Sequence, residues 1–172
     1  DACHALGGDY RGGKIGSCRF SDMAVLSFHP VKHITTGEGG AILTNREDLY
    51  KRLLVHRTHG TTRDPDQLER QDGPWYYEMH WLGFNYRLTD FQCALGLSQL
   101  KRLDDFIVRR RQIADRYREA FRDLRHIHPL ETTPGHAYHL FVARMDFKAL
   151  GATRRDVVER LGVRAGSYAV LT

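Results

Sequence analysis

A single lysine lies between an apolar run and a glycine-rich turn. The apolar run covers residues 23–28, Lys32 follows it, and glycines stand at positions 37, 39 and 40. An apolar run bounded by turn residues predicts a buried strand that ends in a tight turn. Burial of a lysine there would favour its neutral amine, which can attack a carbonyl carbon. The alternative is an ammonium group that reaches from the strand edge into water.

Length and composition set only broad limits. A chain of 172 residues can bury one sizeable core and forms one domain or part of a larger one. Its 41% hydrophobic and 27% charged residues are typical of a soluble globular protein, and no apolar run has membrane-spanning length. The first residues lack the composition of a signal or transit peptide.

The cysteines and the charges point to a cytoplasmic location and to a small anionic ligand. Cys3, Cys18 and Cys93 are far apart and fit no metal-binding spacing, so we expect reduced thiols and no metal site. The net charge is +5. Basic residues are concentrated over residues 101–125, where acidic residues are interspersed among them. This pattern favours a solvated helix face, and we expect no nucleic-acid partner.

The sequence predicts a mixed α/β protein. Residues 1–44 alternate short apolar runs with glycines, which is typical of strands and tight turns. Asn45 can cap a helix over residues 46–55. The long, aromatic-rich stretch 56–84 predicts a functional loop, and residues 138–145 predict a strand.

Two capping motifs predict helix starts. Thr89 and Gln92 form a capping box before a long helix or a kinked pair that continues through Phe121. Thr153 and Asp156 predict a last short helix.

Three groups of polar residues could take part in catalysis or ligand binding. Ser27 precedes Lys32, and its hydroxyl could bind a phosphate oxygen beside the glycines, although a plain β-turn explains those glycines equally well. Asp1 and His4 could meet a protonated ring nitrogen, or could simply be solvated terminal residues.

The third group is the segment Gly-Phe-Asn-Tyr-Arg-Leu-Thr-Asp at residues 83–90. Asn85 and Arg87 stand beside a helix start, where anions are favoured. A capped helix entry with surface polar residues is the alternative.

In this order, the motifs resemble those of the DegT/DnrJ/EryC1/StrS sugar aminotransferases, which are pyridoxal-phosphate enzymes of the aspartate aminotransferase fold. They are Asp-Ala-Cys-His-Ala-Leu-Gly (1–7), Ser-Phe-His-Pro-Val-Lys (27–32), Gly-Glu-Gly-Gly (37–40), His-Gly (59–60) and the segment 83–90. The resemblance extends over about residues 1–161. It is closest to the branch that aminates the C4 keto group of a UDP-linked 6-deoxy-N-acetylhexosamine for pseudaminic acid synthesis.

The resemblance implies a role for each matching residue near the cofactor. Lys32 would attach pyridoxal phosphate covalently and then move a proton during catalysis. Asp1 would pair with the pyridine nitrogen, His4 would lie beside the ring, and Ser27 would bind the phosphate.

The resemblance also implies substrates and a partner. L-glutamate would donate the amino group, a nucleotide-linked keto sugar would receive it, and Arg87 would contact substrate. Asn85 would cross the interface of a homodimer to the partner's phosphate. A branch with histidine in place of the lysine performs dehydration, so Lys32 favours transamination. A non-catalytic remnant with a structural or dimer-forming role is the alternative.

The implied architecture is part of the aspartate aminotransferase-like fold, with an incomplete, mostly parallel sheet followed by long helices. Residues 1–100 would be the later part of the large cofactor-binding domain, 101–125 a connecting helix, and 126–172 part of a small C-terminal domain. Family members carry an upstream Gly-Thr phosphate loop and a ring-stacking aromatic residue, and residues 164–172 depart from the family pattern. We therefore expect this polypeptide alone to bind pyridoxal phosphate weakly or not at all.

Overall fold

The computed structural model describes residues 1–161 and mixes helices with short strands, as the sequence predicts. The elements in chain order are β1 (Asp9–Tyr10), β2 (Gly13–Lys14), β3 (Ala24–Ser27), β4 (Gly40–Leu43), α1 (Glu47–His56), β5 (Thr61–Thr62), β6 (Glu78–Met79), α2 (Asp90–Leu100), α3 (Leu103–Phe121), β7 (Ile127–Pro129), β8 (Ala143–Met145), α4 (Phe147–Leu150) and α5 (Arg154–Arg160). The divergent residues 164–172 lie outside the described residues.

The strand pairings differ in direction from the predicted mostly parallel sheet. Within residues 1–161 the strands form four two-stranded ladders, β1–β2, β3–β4, β5–β6 and β7–β8, and each ladder is antiparallel. A parallel pair needs a crossover connection, whereas β3 and β4 are joined only by a loop. In that hairpin Ala24 pairs with Leu43 and Ser27 pairs with Gly40.

The first core cluster forms where the N-terminal turn meets β3. Ala24 and Leu26 are buried on one face of the strand and pack with Ala2. The backbone N–H of Ala2 donates to the carbonyl of Val25 at 2.8 Å, which fixes the N-terminal turn alongside β3. The neighbouring residue Ser27 therefore points to the opposite, less buried face of the strand.

The second core cluster joins the Lys32 segment to α3. Ile34 packs with Leu103, Ile107 and Ala137, and all four side chains are buried. Phe28 packs against both clusters, so the residues on either side of Lys32 are held by the core.

The predicted capping boxes are confirmed, but the predicted cap of α1 is wrong. Thr89 and Gln92 cap α2, and Thr153 and Asp156 cap α5. The cap position of α1 is Arg46, without a side-chain cap bond, because the amide of Asn45 instead donates to the carbonyl of Ser17 at 2.8 Å.

Helices α2 and α3 form the kinked pair that the sequence allowed. They are separated at residues 101–102. The predicted strand over 138–145 is shorter than expected and covers only Ala143–Met145. Tyr138 has a φ of 49°, which is incompatible with a strand.

The stretch 56–84 contributes the short strands β5 and β6 to an otherwise irregular connection. None of the helices within residues 1–161 is both long enough and apolar enough to cross a membrane.

Candidate functional site

Lys32 lies on the loop that joins β3 to β4. We call residues 28–39 the lysine loop. Its base is closed by a hydrogen bond from the Phe28 N–H to the Gly39 carbonyl at 2.8 Å. The carbonyl of Phe28 accepts from the N–H of Thr36 at 3.0 Å and from the hydroxyl of Thr35 at 2.9 Å. Lys32 is half-buried, and its N–H donates to the carbonyl of His29 at 2.9 Å.

Helix α2 holds the lysine loop from one side. Gln99 accepts a hydrogen bond from the N–H of Thr35 at 2.8 Å, and the amide of Gln92 donates to the carbonyl of Glu38 at 2.9 Å. Between them Gly96 lies so near the Thr36 methyl group that an added Cβ would come within 2.9 Å of it. The helix therefore restrains the backbone on the C-terminal side of Lys32.

Ser27 is the last residue of β3 and is half-buried. Its hydroxyl oxygen accepts a hydrogen bond from the N–H of His29 at 3.4 Å, which leaves the O–H able to donate. The hydroxyl therefore stands at the strand end from which the lysine loop begins.

Asp1 and His4 belong to the turn that runs alongside β3. The Asp1 carboxylate accepts from the N–H of Cys3 at 2.8 Å through Oδ1, and Asp1 is exposed. Burial and then the positive charge of Lys32 lower the pKa of His4, and His4 as a whole is exposed. Within residues 1–161 the side chain of Asp1 has no hydrogen bond or ion pair with Lys32.

Two further histidines surround this site, and the sequence reasoning missed both. The ring of His139 packs on the ring of His4 with centroids 4.2 Å apart, and on the ring of His33 at 5.5 Å. Nε2 of His33 is 3.3 Å from the carbonyl oxygen of Ala137. The position of His33 directly after Lys32 was the one sequence signal for this cluster, and His139 carries none.

His33 and His139 are both uncharged at neutral pH. Burial, then the charge of Arg110, lowers the pKa of His33 to about 4. Burial, then the charges of His4 and Lys32, lowers the pKa of His139 to about 4. The ring next to His4 and the ring that follows Lys32 in sequence are therefore neutral imidazoles.

Asn85 and Arg87 lie in a second group of residues and are exposed. Asn85 forms an isolated β-bridge with Thr58, and His59 donates from its N–H to the carbonyl of Phe84 at 2.8 Å. The His-Gly pair at 59–60 and the segment 83–90 thus come together. No hydrogen bond in the described part of the chain joins Asn85 or Arg87 to Lys32.

The two groups meet at the glycine turn. Leu88 lies so close to Gly39 that a Cβ added there would be 2.8 Å from Leu88 Cδ2.

A surface depression of about 420 Å³ lies between α1 and residues 58–67. This depression is not lined by Lys32, Ser27 or His4, so it is separate from the lysine site.

The motif order and the lysine loop can be compared with known proteins. The sequence model of the DegT/DnrJ/EryC1/StrS aminotransferase family matches residues 1–167. The chain belongs to this family. Family membership confirms the resemblance stated from the motifs and accounts for the shared order of the lysine, glycine and Asn85 segments.

Relatives in the family include sugar-processing enzymes. The chain is 43% identical over 121 residues to a UDP-4-amino-4,6-dideoxy-N-acetyl-beta-L-altrosamine transaminase of Campylobacter jejuni, covering 70% of the chain and 30% of that protein. The structure superposes on Helicobacter pylori PseC, an aminotransferase involved in the biosynthesis of pseudoaminic acid, with a TM-score of 0.82 and 33% identity. The superposition covers 94% of this chain and 41% of PseC.

A dehydratase shares the same fold. The GDP-4-keto-6-deoxy-D-mannose-3-dehydratase of Escherichia coli, with bound hydrated pyridoxal phosphate, matches with a TM-score of 0.81 and 29% identity. That match covers 94% of this chain and 43% of the dehydratase. The chain thus has the aspartate aminotransferase-like fold of this family and spans about two fifths of the length of these solved structures.

Proposed function

We propose that this chain is part of a pyridoxal-phosphate-dependent nucleotide-sugar aminotransferase in which Lys32 attaches the cofactor. The observation that carries the proposal is the placement of Lys32 on a loop closed at the end of β3 and held by α2, with Ser27 at the strand end from which the loop begins. A reactive amine needs such a fixed, partly dry position.

The chemistry of the side chains fits pyridoxal phosphate. The aldehyde of the cofactor requires an amine, its phosphate requires donors, and its ring nitrogen requires an anion. Lys32 offers the half-buried amine, the O–H of Ser27 can donate, and Asp1 has a second carboxylate oxygen besides the one bonded to Cys3. When bound, the cofactor supplies an electron sink that makes the donor Cα–H acidic.

Lys32 and His4 then have different tasks. In its free-amine form Lys32 can take a proton from the donor carbon and return it to the neighbouring carbon. The lowered pKa of His4 favours its neutral imidazole, which can pack as a flat face without adding charge to the site. The hydroxyl of Ser27 orients the phosphate end.

We propose a nucleotide-linked keto sugar as the amino acceptor, with UDP-4-keto-6-deoxy-N-acetylhexosamine as the specific candidate and L-glutamate as the donor. The names of the Campylobacter transaminase and of PseC support the sugar class. The net charge of +5 suits a diphosphate-bearing ligand, and Arg87 is the residue we assign to substrate contact.

Lys32 also separates transamination from dehydration. The fold matches both PseC and the Escherichia coli dehydratase, so the fold by itself does not select the reaction. In the dehydratase branch the resemblance places a histidine at this position. A lysine amine can attach the cofactor, which favours transamination here.

We propose that the protein acts as a homodimer with Asn85 crossing the interface. Asn85 is exposed, and α2 has no buried residue among its side chains. Phe91 is 90% exposed and Leu97 is 63% exposed on that helix, which supports a partner surface. A cytoplasmic location stays a prediction.

The rival proposal is a non-catalytic family member with a structural or dimer-forming role. It is favoured by one observation: no hydrogen bond within residues 1–161 joins Asp1 or Asn85 to Lys32. The two proposals make different predictions about amino transfer.

Transfer of ¹⁵N from L-[¹⁵N]glutamate to the UDP-linked keto sugar tests the proposal in the complete gene product, with pyridoxal phosphate present. We expect ¹⁵N in the amino sugar with the unaltered protein and none with Lys32→Ala. Lys101→Ala, an exposed lysine between α2 and α3, is the matched control and should keep the transfer. No transfer by the unaltered protein, despite a normal dimer, would favour the rival proposal.

A further inference from the structure

His139 connects the segment that follows α3 to the site of Lys32. The centroid of its ring lies 4.2 Å from that of His4 and 5.5 Å from that of His33, and both pairs of rings are tilted. His4 belongs to the N-terminal turn and His33 follows Lys32 directly. Side chains from three separate parts of the chain therefore form one imidazole cluster.

Helix α3 fixes the position of His139. The guanidinium of Arg110 donates to the carbonyl of Tyr138 at 3.1 Å and to that of His139 at 3.5 Å. Arg110 is itself half-buried, and Tyr138 has a φ of 49°, which turns the chain sharply before His139. The backbone that carries the ring is therefore set by contacts that do not involve His4.

His33 is the most buried member of the imidazole cluster. His33 is only 4% exposed, and its Nε2 lies 3.3 Å from the carbonyl oxygen of Ala137. A neutral imidazole that donates from Nε2 presents an unprotonated Nδ1. In residues 1–161, Nδ1 of His33 and Nδ1 of His139 are both buried without a hydrogen-bond partner.

The charged groups around this imidazole cluster oppose its protonation. His139 faces the charges of His4 from the N-terminal turn, Lys32 and His33 from the lysine loop, and Arg110 from α3. Each of these groups is cationic when charged. Among the described residues no carboxylate forms an ion pair with His4, His33 or His139. A neutral, packed arrangement is therefore the stable one.

We propose that His139 is a positioning residue that holds the imidazole of His4 against the Lys32 site. Arg110 holds the backbone at His139, and the ring of His139 packs against the imidazole of His4, which is an exposed residue. The importance of this position for catalysis rests on the proposed function, but the packing itself does not. The proposal predicts that His4 loses this packing contact, and with it part of its burial, when the ring at 139 is removed.

NMR titration of the His4 imidazole, assigned with His4→Gln, tests the proposal without cofactor. In the unaltered chain the pKa of His4 lies below 6.5. His139→Ala should raise it toward 6.5, because water replaces the covering ring. His139→Phe, which keeps a ring, should leave it lowered. His128→Ala, an exposed histidine on β7, is the control and should have no effect.

An unchanged His4 titration in a folded His139→Ala chain would overturn the proposal. So would a His139→Phe chain in which the pKa of His4 rises as far as in His139→Ala. If His139→Ala does not fold, the comparison of His139→Phe with His139→Gln replaces it, since glutamine has similar reach but no ring. Failure of cofactor attachment at Lys32 would refute the proposed function and leave this titration unaffected.

Discussion

Gln99 of α2 accepts a hydrogen bond from the backbone N–H of Thr35 at 2.8 Å, and this contact ties the helix to the loop that carries Lys32. Thr35 is half-buried, so water cannot fully replace the glutamine oxygen. The order of the lysine loop therefore depends on a residue that lies outside every motif of the sequence.

Gln99→Ala should loosen the lysine loop and destabilise the chain by about 1–2 kcal/mol, because a partly buried N–H loses its acceptor. Urea unfolding gives the free energy, and amide hydrogen exchange at Thr35 should become faster. Ser98→Ala, an exposed neighbour on the same helix, should change the free energy by less than about 0.5 kcal/mol. Equal effects of the two changes would contradict a role for this contact.

Gly96→Ala should be destabilising although alanine is the better helix former. The helix preference favours alanine by about 1 kcal/mol. The new Cβ would lie 2.9 Å from the methyl carbon of Thr36, which is 4% exposed and held through its hydroxyl to the Glu38 carbonyl. Overpacking of this kind typically costs about 1–3 kcal/mol.

A Thr36→Ser background isolates that clash, since serine keeps the hydroxyl and removes the methyl group. There Gly96→Ala should become neutral or stabilising by up to about 1 kcal/mol in urea unfolding. The contradicting result is a Gly96→Ala change that lowers the free energy of unfolding by the same amount in both backgrounds. That result would show that the close approach of α2 to the lysine loop is not what excludes a side chain at position 96.

Glu78 should make the stability of the chain sensitive to acid. Its carboxylate accepts from the N–H groups of Glu69 and Arg70, from the hydroxyl of Tyr76 at 2.8 Å, and from His80 at 2.8 Å. These bonds, led by the Glu69 N–H, lower the pKa of Glu78 to about 2. Because the folded pKa is below the ordinary value of 4.5, the stabilisation is fully present above about pH 4.5 and is lost as the pH falls toward 2.

Glu78→Gln should therefore be less stable than the unaltered chain at neutral pH, and the difference should shrink between about pH 4.5 and pH 2. Urea unfolding over that pH range measures it. Glu131→Gln, at an exposed position, is the control and should give no such pH-dependent difference. A constant difference for Glu78→Gln across this range would show that the network does not depend on the charge.

Local features of the fold could be predicted from the sequence. The capping boxes at Thr89 and Thr153 need only residues three positions apart, and the strand before Lys32 needs only a short apolar run. The cap at Asn45 failed because its side chain bonds Ser17, far away in sequence. Spacing along the chain carries no information about such a contact.

In the candidate site, too, local sequence patterns mark some residues and only tertiary contacts reveal others. Lys32 and Ser27 stand out because strand, lysine and glycines are adjacent in sequence. His139 and Gln99 reach the site only through tertiary packing, so no local pattern marks them. The roles of all the site residues stay predictions, because they depend on a cofactor, a substrate and a partner subunit. These residues are Lys32, Ser27, His4, Asp1, Asn85 and Arg87.

Reductive trapping at Lys32 tests the central claim most directly. The complete gene product is incubated with pyridoxal phosphate, then reduced with borohydride and mapped by mass spectrometry. We expect the pyridoxyl group predominantly on Lys32, well above the exposed Lys51 and Lys101, and we expect Lys32→Ala to remove only that adduct. Labelling of Lys32 no greater than that of Lys51 and Lys101 would contradict the assignment of Lys32 as the cofactor lysine.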